Sequence, residues 1–467
     1  MPSSADLTTI DLPDFGMPST EPELGEEVYR SRLATLRSRA AEEGYDALIV
    51  YGDREHFANI SYLTGYDPRF EEALLIVPVD GTTDQVTLLV GNEGRGYVDN
   101  SPIQSDIKVE LFQSFSLLGQ DRSESTSLTT LLKENGVCDG MKIGVAGWKH
   151  FPEFDNSETA LEIPAYIAET LREVCGAHSA VQNANGLFMD SQDGLRSRNS
   201  VDQLACFEFA ACHTSQAIRN VLFGLEPGMS EYEAVELMEL NGIPLSCHLM
   251  LSSGQRAHMG LPSPSSRTIE HGDPFTTAYG AWGALNSRAG FVVEDASDLP
   301  NSIDDYVEKL VAPYFEAVAT WYEHVGIGVE GGELYDHIHS KIGADFFGVE
   351  LNPGHLIHLD EWVDSPIYEG SEERLQSGMA LQVDVIPATG TEYFMTNIED
   401  GIALADKDLR NEFKSQYPEA WDRIQQRRTF MQETLGIDLR PEVLPFSNIP
   451  AYLPPFLLSP DRAMHLA

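Results

Sequence analysis

The sequence contains little lysine: only eight of its 467 residues are Lys. Lys and Arg together number 30 against 74 Asp and Glu, so the formal net charge is −44 at pH 7. Such a charge repels polyanions, which argues against nucleic acid and anionic membrane surfaces as partners. Few lysines and many acids are typical of a strongly hydrated surface, either one adapted to salt or that of an ordinary acidic protein.

Cysteine and long apolar runs are also scarce. The five Cys are odd in number, widely scattered and without a CxxC pair, so they indicate neither a disulfide framework nor a zinc–thiolate site. No run reaches the ~18 apolar residues that a membrane span needs. The N-terminal residues lack the basic and apolar regions of a secretory signal. We therefore expect a cytoplasmic protein with no membrane partner.

The chain divides into segments of different character. Residues 1–26 are polar, acidic and Pro-containing, which predicts a flexible arm. Helical and strand-like patterns alternate over residues 27–190, as in an α/β layer. After a stretch rich in Asn, Gly, Asp and Ser, residues 191–440 combine long helical patterns with strand-like runs and predict an α+β domain. The apolar, Pro-rich tail 441–467 is expected to pack on the body or on a partner subunit.

Individual elements follow from apolar periodicity. Strands are predicted at 47–51, 73–77, 85–90, 143–146, 275–279, 380–386 and 402–405. Long helices are predicted at 201–223 and 303–324. Ser230 followed by Glu233 predicts a capping box at the start of a further helix.

Several side chains in the second half are suited to acid–base or metal chemistry. His258 follows a Gly-containing turn, and an imidazole titrates near neutral pH. His355 and His358 would face opposite sides of a strand, which disfavours a metal shared by these two. Asp384 and Glu399 each interrupt an apolar, strand-like run, where a carboxylate must be paired, hydrogen-bonded or functional.

Short motifs occur in a fixed order between residues 32 and 405. They are the helix and strand at 32–50, NISYLTGY at 59–66, LRSR at 195–198, Gly272-Asp273 before a predicted strand, and the later His355, Asp384 and Glu399. In this order they resemble the creatinase/aminopeptidase P/prolidase superfamily. The resemblance implies an α+β pita-bread C-terminal domain, preceded by a smaller α/β creatinase-type N-terminal domain.

The chain departs from this resemblance at the metal ligands. The family's metallopeptidases hold two metals between two Asp, one His and two Glu. By position the His and the two Glu fall on His355, Asp384 and Glu399. The first Asp falls on Ala278 and the second near Leu285 or Ser287, and none of these side chains supplies a bridging carboxylate. The HE-x-P element is also replaced, by VDSP at 363–366. These departures predict a member without metal or other cofactor.

The pattern resembles that of creatinase, a metal-free member of the superfamily. The resemblance implies a metal-independent hydrolase of a C–N bond in a small amide, cyclic amidine or guanidino compound. His258 would be the general acid and base, with Asp384 as its catalytic partner. The remaining candidates would bind substrate: His355, Glu399, Arg69 and Arg288. For Arg288 a salt bridge to Glu399 is the alternative interpretation, and for Arg69 a solvated loop position.

Two other functions stay open. The first is a metal-dependent Xaa-Pro aminopeptidase or prolidase-type peptidase with a reduced, mononuclear site at His355, Asp384 and Glu399, since three protein ligands suffice for catalytic zinc. The second is a non-catalytic pita-bread binding protein. The superfamily's dimers imply a homodimer, so the expected partners are a small-molecule substrate and a second copy of the chain.

Overall fold

The computed structural model describes residues 5–79, 81, 83–151 and 153–467. The chain forms two compact units. The N-terminal unit is Leu24–Leu195, and the C-terminal unit is Arg196–Ala467 together with the segment that ends at Glu23. The boundary thus lies a few residues after the predicted one.

The first strand belongs to the C-terminal unit. This strand, β1 (Ala5–Thr9), pairs antiparallel with the last strand of the chain, Arg462–Leu466. The flexible arm predicted for residues 1–26 is therefore wrong for this segment. The pairing satisfies its backbone polar groups, which the polar composition of the segment does not reveal.

The N-terminal unit is built on one six-stranded mixed sheet with the order β5-β4-β3-β2-β6-β7. Its strands are β2 (Ala47–Gly52), β3 (Ala73–Pro78), β4 (Val86–Val90), β5 (Ile107–Leu111), β6 (Ile143–Ala146) and β7 (Val181–Asn183). Its helices are α1 (Glu26–Glu42), α2 (Ala58–Thr64), α3 (Gly94–Tyr97), α4 (Leu128–Glu134), α5 (Ala165–Cys175) and α6 (Gly186–Met189). The central strands are buried along their whole length, as their continuous apolar runs require.

The C-terminal unit is built on an antiparallel sheet with the order β11-β12-β13-β10-β9-β8, and β14 pairs with β13. Its strands are β8 (Met250–Ser253), β9 (Pro274–Ala281), β10 (Ala284–Phe291), β11 (His355–Leu356), β12 (Ala380–Asp384), β13 (Asn397–Leu404), β14 (Val443–Pro445) and β15 (Arg462–Leu466). Its helices are α7 (Val201–Gly224), α8 (Glu231–Glu236), α9 (Ala312–His324), α10 (Gly331–Ile342), α11 (Lys407–Gln416) and α12 (Pro418–Glu433). A π-helical turn, Val307–Val311, precedes α9.

Small side chains let α7 lie close to the sheet. Ala205, Ala210 and Ala211 of this helix belong to one buried cluster with Ala281 and Ala284 of the strands beneath it. The predicted capping box at the start of α8 is confirmed, since the Ser230 hydroxyl accepts from the Glu233 N–H and the Glu233 carboxylate accepts from the Ser230 N–H. In the C-terminal tail, aromatic residues such as Phe446, Tyr452 and Phe456 are buried.

Within the described residues, no helix combines the length and the apolar character that crossing a bilayer requires.

Candidate active site

The strand register of the C-terminal unit places four residues in one row across the sheet. Asp384 of β12 lies opposite Glu399 of β13. Glu399 in turn lies opposite Ser287 of β10, and Ser287 lies opposite Ala278 of β9. Directly opposite residues on neighbouring strands point to the same face of a sheet. Two carboxylates, a hydroxyl and a methyl group therefore share one face of the sheet.

His355 and Glu361 complete a cluster of ionisable groups at the carboxylate end of this row. His355 lies on β11 and is fully buried. Its Nε2 lies 3.2 Å from Glu361 Oε1, 3.8 Å from Asp384 Oδ2 and 3.9 Å from Glu399 Oε1. Three carboxylates thus surround one imidazole nitrogen.

The orientation of the His355 ring is fixed by its other nitrogen. Nδ1 lies 3.1 Å from the carbonyl oxygen of Leu356, and because a carbonyl only accepts, Nδ1 carries a proton. The indole of Trp362 stacks on the ring, with centroids 4.1 Å apart and planes 15° apart. Nε2 is therefore the nitrogen that faces the carboxylates, and in the neutral ring it is the nitrogen available to a metal ion.

Burial and neighbouring charges shift the pKa of three groups in the cluster: His355, Asp384 and Glu399. Burial raises the pKa of Asp384 to about 6, against the opposing effect of His355. Burial, with the Asp384 charge beside it, holds the pKa of Glu399 well above its usual range. For His355, burial favours the neutral ring, but the carboxylates outweigh it, above all Glu361, and raise its pKa. The cluster thus holds more negative groups than one imidazolium can neutralise, and it favours a bound cation.

The cluster opens into a cavity of about 290 Å³. Glu361, Asp384 and Glu399 contribute its carboxylates, and no Lys or Arg occurs among the described residues that line it. The rest of the lining is largely apolar: Met250, Met259, Leu261, Leu285, Ile386 and Met395. The lining of the cavity therefore combines three carboxylates with many apolar side chains.

Three residues of the cluster fit a metal ion. One ligand atom each from His355, Glu361 and Glu399 lies within 4.8 Å of the others, and a set of one imidazole and carboxylates suits a catalytic divalent ion. The two-metal site of the resembled metallopeptidases needs carboxylates where Ala278 and Ser287 stand. Leu285, the other position considered for the second Asp, lies two residues before Ser287 on the same strand and also lines the cavity. The loss of these two carboxylates stays a prediction, and it would leave a mononuclear site.

His258 does not reach this cluster. It ends a short helical turn, Gly254–His258, in which Ala257 is buried and His258 is exposed. His258 is not among the residues that line the cavity, whereas the next residue, Met259, is. The predicted catalytic pairing of His258 with Asp384 is wrong because the turn directs the imidazole to solvent.

Arg288 does not reach the cavity either. Neighbouring residues of a strand face opposite sides of the sheet, and Arg288 follows the cavity-lining Ser287. Its guanidinium forms a buried salt bridge with Asp400 at 2.8 Å and donates to the carbonyl of Tyr452 at 2.6 Å. Both predicted roles, substrate binding and a salt bridge to Glu399, are therefore wrong, because Asp400 and not Glu399 faces the same side as Arg288.

Arg69 lies in the N-terminal unit. Its guanidinium forms a salt bridge with Asp67, with Nη2 at 2.7 Å from Oδ2. The role predicted for Arg69, binding of a substrate carboxylate, stays a prediction.

Glu361 is the residue of the cluster to which the sequence reasoning assigned no function. It lies in an irregular segment after β11, where neither strand nor helix periodicity tells which way a side chain points. The sequence feature that could have indicated this residue is the acidic pair Asp360-Glu361, which follows His358 in an otherwise apolar stretch.

Comparison with known families covers both units. Residues 32–182 match the Creatinase/Prolidase N-terminal domain, and residues 205–406 match Metallopeptidase family M24. The chain belongs to the creatinase/aminopeptidase P/prolidase superfamily. The predicted fold of this superfamily, a creatinase-type N-terminal domain followed by a pita-bread domain, is confirmed. Its C-terminal match is to a family of metallopeptidases.

Individual relatives of this superfamily member are distant. Uncharacterized peptidase YqhT of Bacillus subtilis is 26% identical over 238 residues, which span 47% of this chain and 63% of that protein. Among solved structures, a prolidase from Thermococcus sibiricus has a TM-score of 0.61 at 20% identity, covering 81% of this chain and 95% of that one. An X-Pro aminopeptidase from Thermotoga maritima has a TM-score of 0.60 at 14% identity, covering 80% and 95%. The match to Metallopeptidase family M24 and the Bacillus subtilis relative favour the peptidase alternative over the metal-independent creatinase-like hydrolase.

Proposed function

We propose that the protein is a metal-dependent peptidase with a single metal ion, which cleaves the bond after an N-terminal residue that carries a free amino group. The observation that carries the proposal is the buried Nε2 of His355, which faces carboxylate oxygens of three residues at 3.2, 3.8 and 3.9 Å. Membership in a metallopeptidase family supports the same reaction class.

The position of each residue in the cluster indicates a role in metal binding or in proton transfer. His355, Glu361 and Glu399 would hold the ion. A divalent ion bound there supplies Lewis-acid polarisation of a carbonyl and lowers the pKa of a water molecule. Asp384 lines the cavity, and its Oδ1 has no hydrogen-bond partner among the described residues. This carboxylate is placed to accept the proton of the water that attacks the substrate.

The charge of the cavity favours an amino group over a carboxylate in the substrate. Three carboxylates and one divalent ion leave the site with a net negative charge, which attracts an ammonium group. A free substrate carboxylate would lose its hydration without gaining a Lys or Arg partner from the described lining, where the Nε2–H of the lining His248 already donates to the Leu261 carbonyl. The X-Pro aminopeptidase relative is named for cleavage at a free amino terminus. A proline ring in the second position of the substrate would contact the apolar side chains of the cavity. We therefore favour an aminopeptidase over a dipeptidase.

Metal content tests this proposal directly. Protein purified without chelators should contain about one divalent transition-metal ion per chain, measured by inductively coupled plasma mass spectrometry. His355→Ala should weaken metal binding at least about 100-fold in calorimetric titration, because it removes the nitrogen ligand. His258→Ala is the matched control, and the affinity should stay unchanged because this imidazole lies outside the cavity.

Activity completes the test. Hydrolysis of Xaa-Pro-containing tripeptide amides should be lost on chelation and restored by adding back one equivalent of metal. N-acetylation of the same peptides should abolish cleavage. Two ions per chain, or turnover that chelators leave unchanged, would contradict the single-metal proposal, and the second outcome would favour the metal-independent hydrolase.

A further inference from the structure

We propose that a second cavity, wholly within the N-terminal unit, binds a small alkylammonium ion. The cavity has a volume of about 400 Å³. Three aromatic rings and three carboxylates contribute to its lining: Tyr66, Phe70 and Tyr97 with Asp67, Glu71 and Glu93. The inference is independent of the peptidase activity proposed above.

Glu71 is the group that most needs a ligand. Its side chain is buried, with 5% of the residue exposed. Oε2 accepts hydrogen bonds from the backbone N–H groups of Glu93 and Gly94, at 3.0 and 3.1 Å. Oε1 is buried and has no hydrogen-bond partner among the described residues. A buried carboxylate oxygen without a donor is costly, and an ammonium group is both a donor and the compensating charge.

The described protein residues do not neutralise this cavity. Asp67 is paired with Arg69, but within the described part of the chain no salt bridge reaches Glu71 or Glu93, and no Lys or Arg lines the cavity. The buried Glu71 carboxylate without a cationic partner, with the exposed Glu93 in the same lining, favours a cation. A positively charged ligand is therefore favoured here over a neutral or anionic one.

The aromatic rings favour an organic cation over a bare metal ion. Tyr66 and Tyr97 pack edge to face, with centroids 5.4 Å apart and planes 63° apart. Tyr66 is buried, while Tyr97 and Phe70 are 45% and 64% exposed, so the rings run from the floor of the cavity to its mouth. Aromatic faces attract ammonium groups and also bury their alkyl substituents. Sodium gains little from such a wall, whereas an alkylammonium ion matches both the rings and the carboxylates.

Calorimetry with a cation and its neutral isostere tests the proposal on the full chain. Choline chloride should bind at least tenfold more tightly than 3,3-dimethylbutan-1-ol, which has the same shape without the charge, at matched ionic strength. n-Butylammonium chloride is the second cation. Tighter binding of butylammonium than of choline would show that hydrogen bonds from the ligand N–H groups to Glu71 contribute most of the affinity. Tighter binding of choline would show that the aromatic rings contribute most of it. Equal binding of choline and its isostere, together with no measurable binding of butylammonium, would overturn the proposal.

Variants locate the binding site. Glu71→Gln keeps an acceptor for the Glu93 and Gly94 N–H groups but removes the charge, and should weaken choline binding at least tenfold. Tyr97→Ala should do the same by removing an exposed ring, and Tyr97→Phe should retain most of the affinity. Glu134→Gln removes one carboxylate from an exposed position elsewhere in this unit and should leave affinity unchanged. If Tyr97→Ala and Glu71→Gln both bind choline like the unmodified protein, the site is not this cavity.

Discussion

At the scale of single residues, the orientation of the Glu361 side chain depends on Asp360, a neighbour that does not line the cavity. Asp360 is buried and forms an ion pair with Arg196, which is itself 1% exposed. The backbone carbonyl of Asp360 also accepts from the His358 N–H at 3.1 Å. These two contacts hold the turn after β11, and the direction of the Glu361 side chain follows from that turn. Asp360 is thus a positioning residue for the metal ligand beside it.

The positioning role predicts a loss of metal affinity without the loss of a ligand. Asp360→Asn should weaken metal binding about 10-fold to 100-fold, the range typical of residues that orient a ligand. Calorimetric titration well below the unfolding temperature measures this effect apart from any loss of stability. Asp345→Asn, at an exposed position, is the matched control. An affinity equal to that of the control would show that Arg196 and Asp360 serve the fold alone.

At the scale of helices and strands, part of the site could be predicted from the sequence. Asp384 and Glu399 are conspicuous because each interrupts an apolar strand-like run, and strand β6 has the predicted bounds, Ile143–Ala146. Helices α11 and α12 were not predicted, because they contain few buried residues among many charged ones. Which residues lie opposite Glu399 could not be derived, because register depends on connections that are distant in sequence. The outward direction of His258 depends in the same way on a local turn.

The register of the sheet predicts that a second metal site can be restored. Ala278 and Ser287 lie directly opposite each other, and Ser287 lies opposite Glu399. The double variant Ala278→Asp/Ser287→Asp places two more carboxylates in this row, within the spacing of directly paired residues. Metal analysis should then give about two ions per chain.

The metal-free form of this double variant should also be less stable. Both positions are buried, so the new carboxylates carry a desolvation cost of several kcal/mol until a cation compensates them. Thermal unfolding should show a lowered Tm that metal addition restores. Ala278→Asn/Ser287→Asn has nearly the same size without the charge and should bind one ion only. One ion in the Asp variant as well would mean that the row does not set the metal count.

At the scale of the whole molecule, the two cavities use few of the chain's acids. Six carboxylates line them, out of 74 Asp and Glu residues. The net charge of −44 is therefore mainly a property of the rest of the molecule. Each unit has its own buried core. Repulsion between the acids therefore lowers the free energy of unfolding of units that are otherwise well packed. Self-repulsion of this kind destabilises the compact state and weakens as salt screens it.

The charge predicts that stability rises with salt, and most steeply at low concentration. The screening length falls from about 10 Å at 0.1 M to about 3 Å at 1 M ionic strength, so repulsion between neighbouring surface carboxylates is largely removed within this range. Between these two ionic strengths, Tm measured by differential scanning calorimetry should rise by about 5 °C. This rise corresponds to roughly 2 kcal/mol in the free energy of unfolding for a unit of this size. Because exclusion of salt from the protein surface stabilises at molar concentrations, a Tm that is flat at low salt and rises only near 1 M would contradict an electrostatic origin.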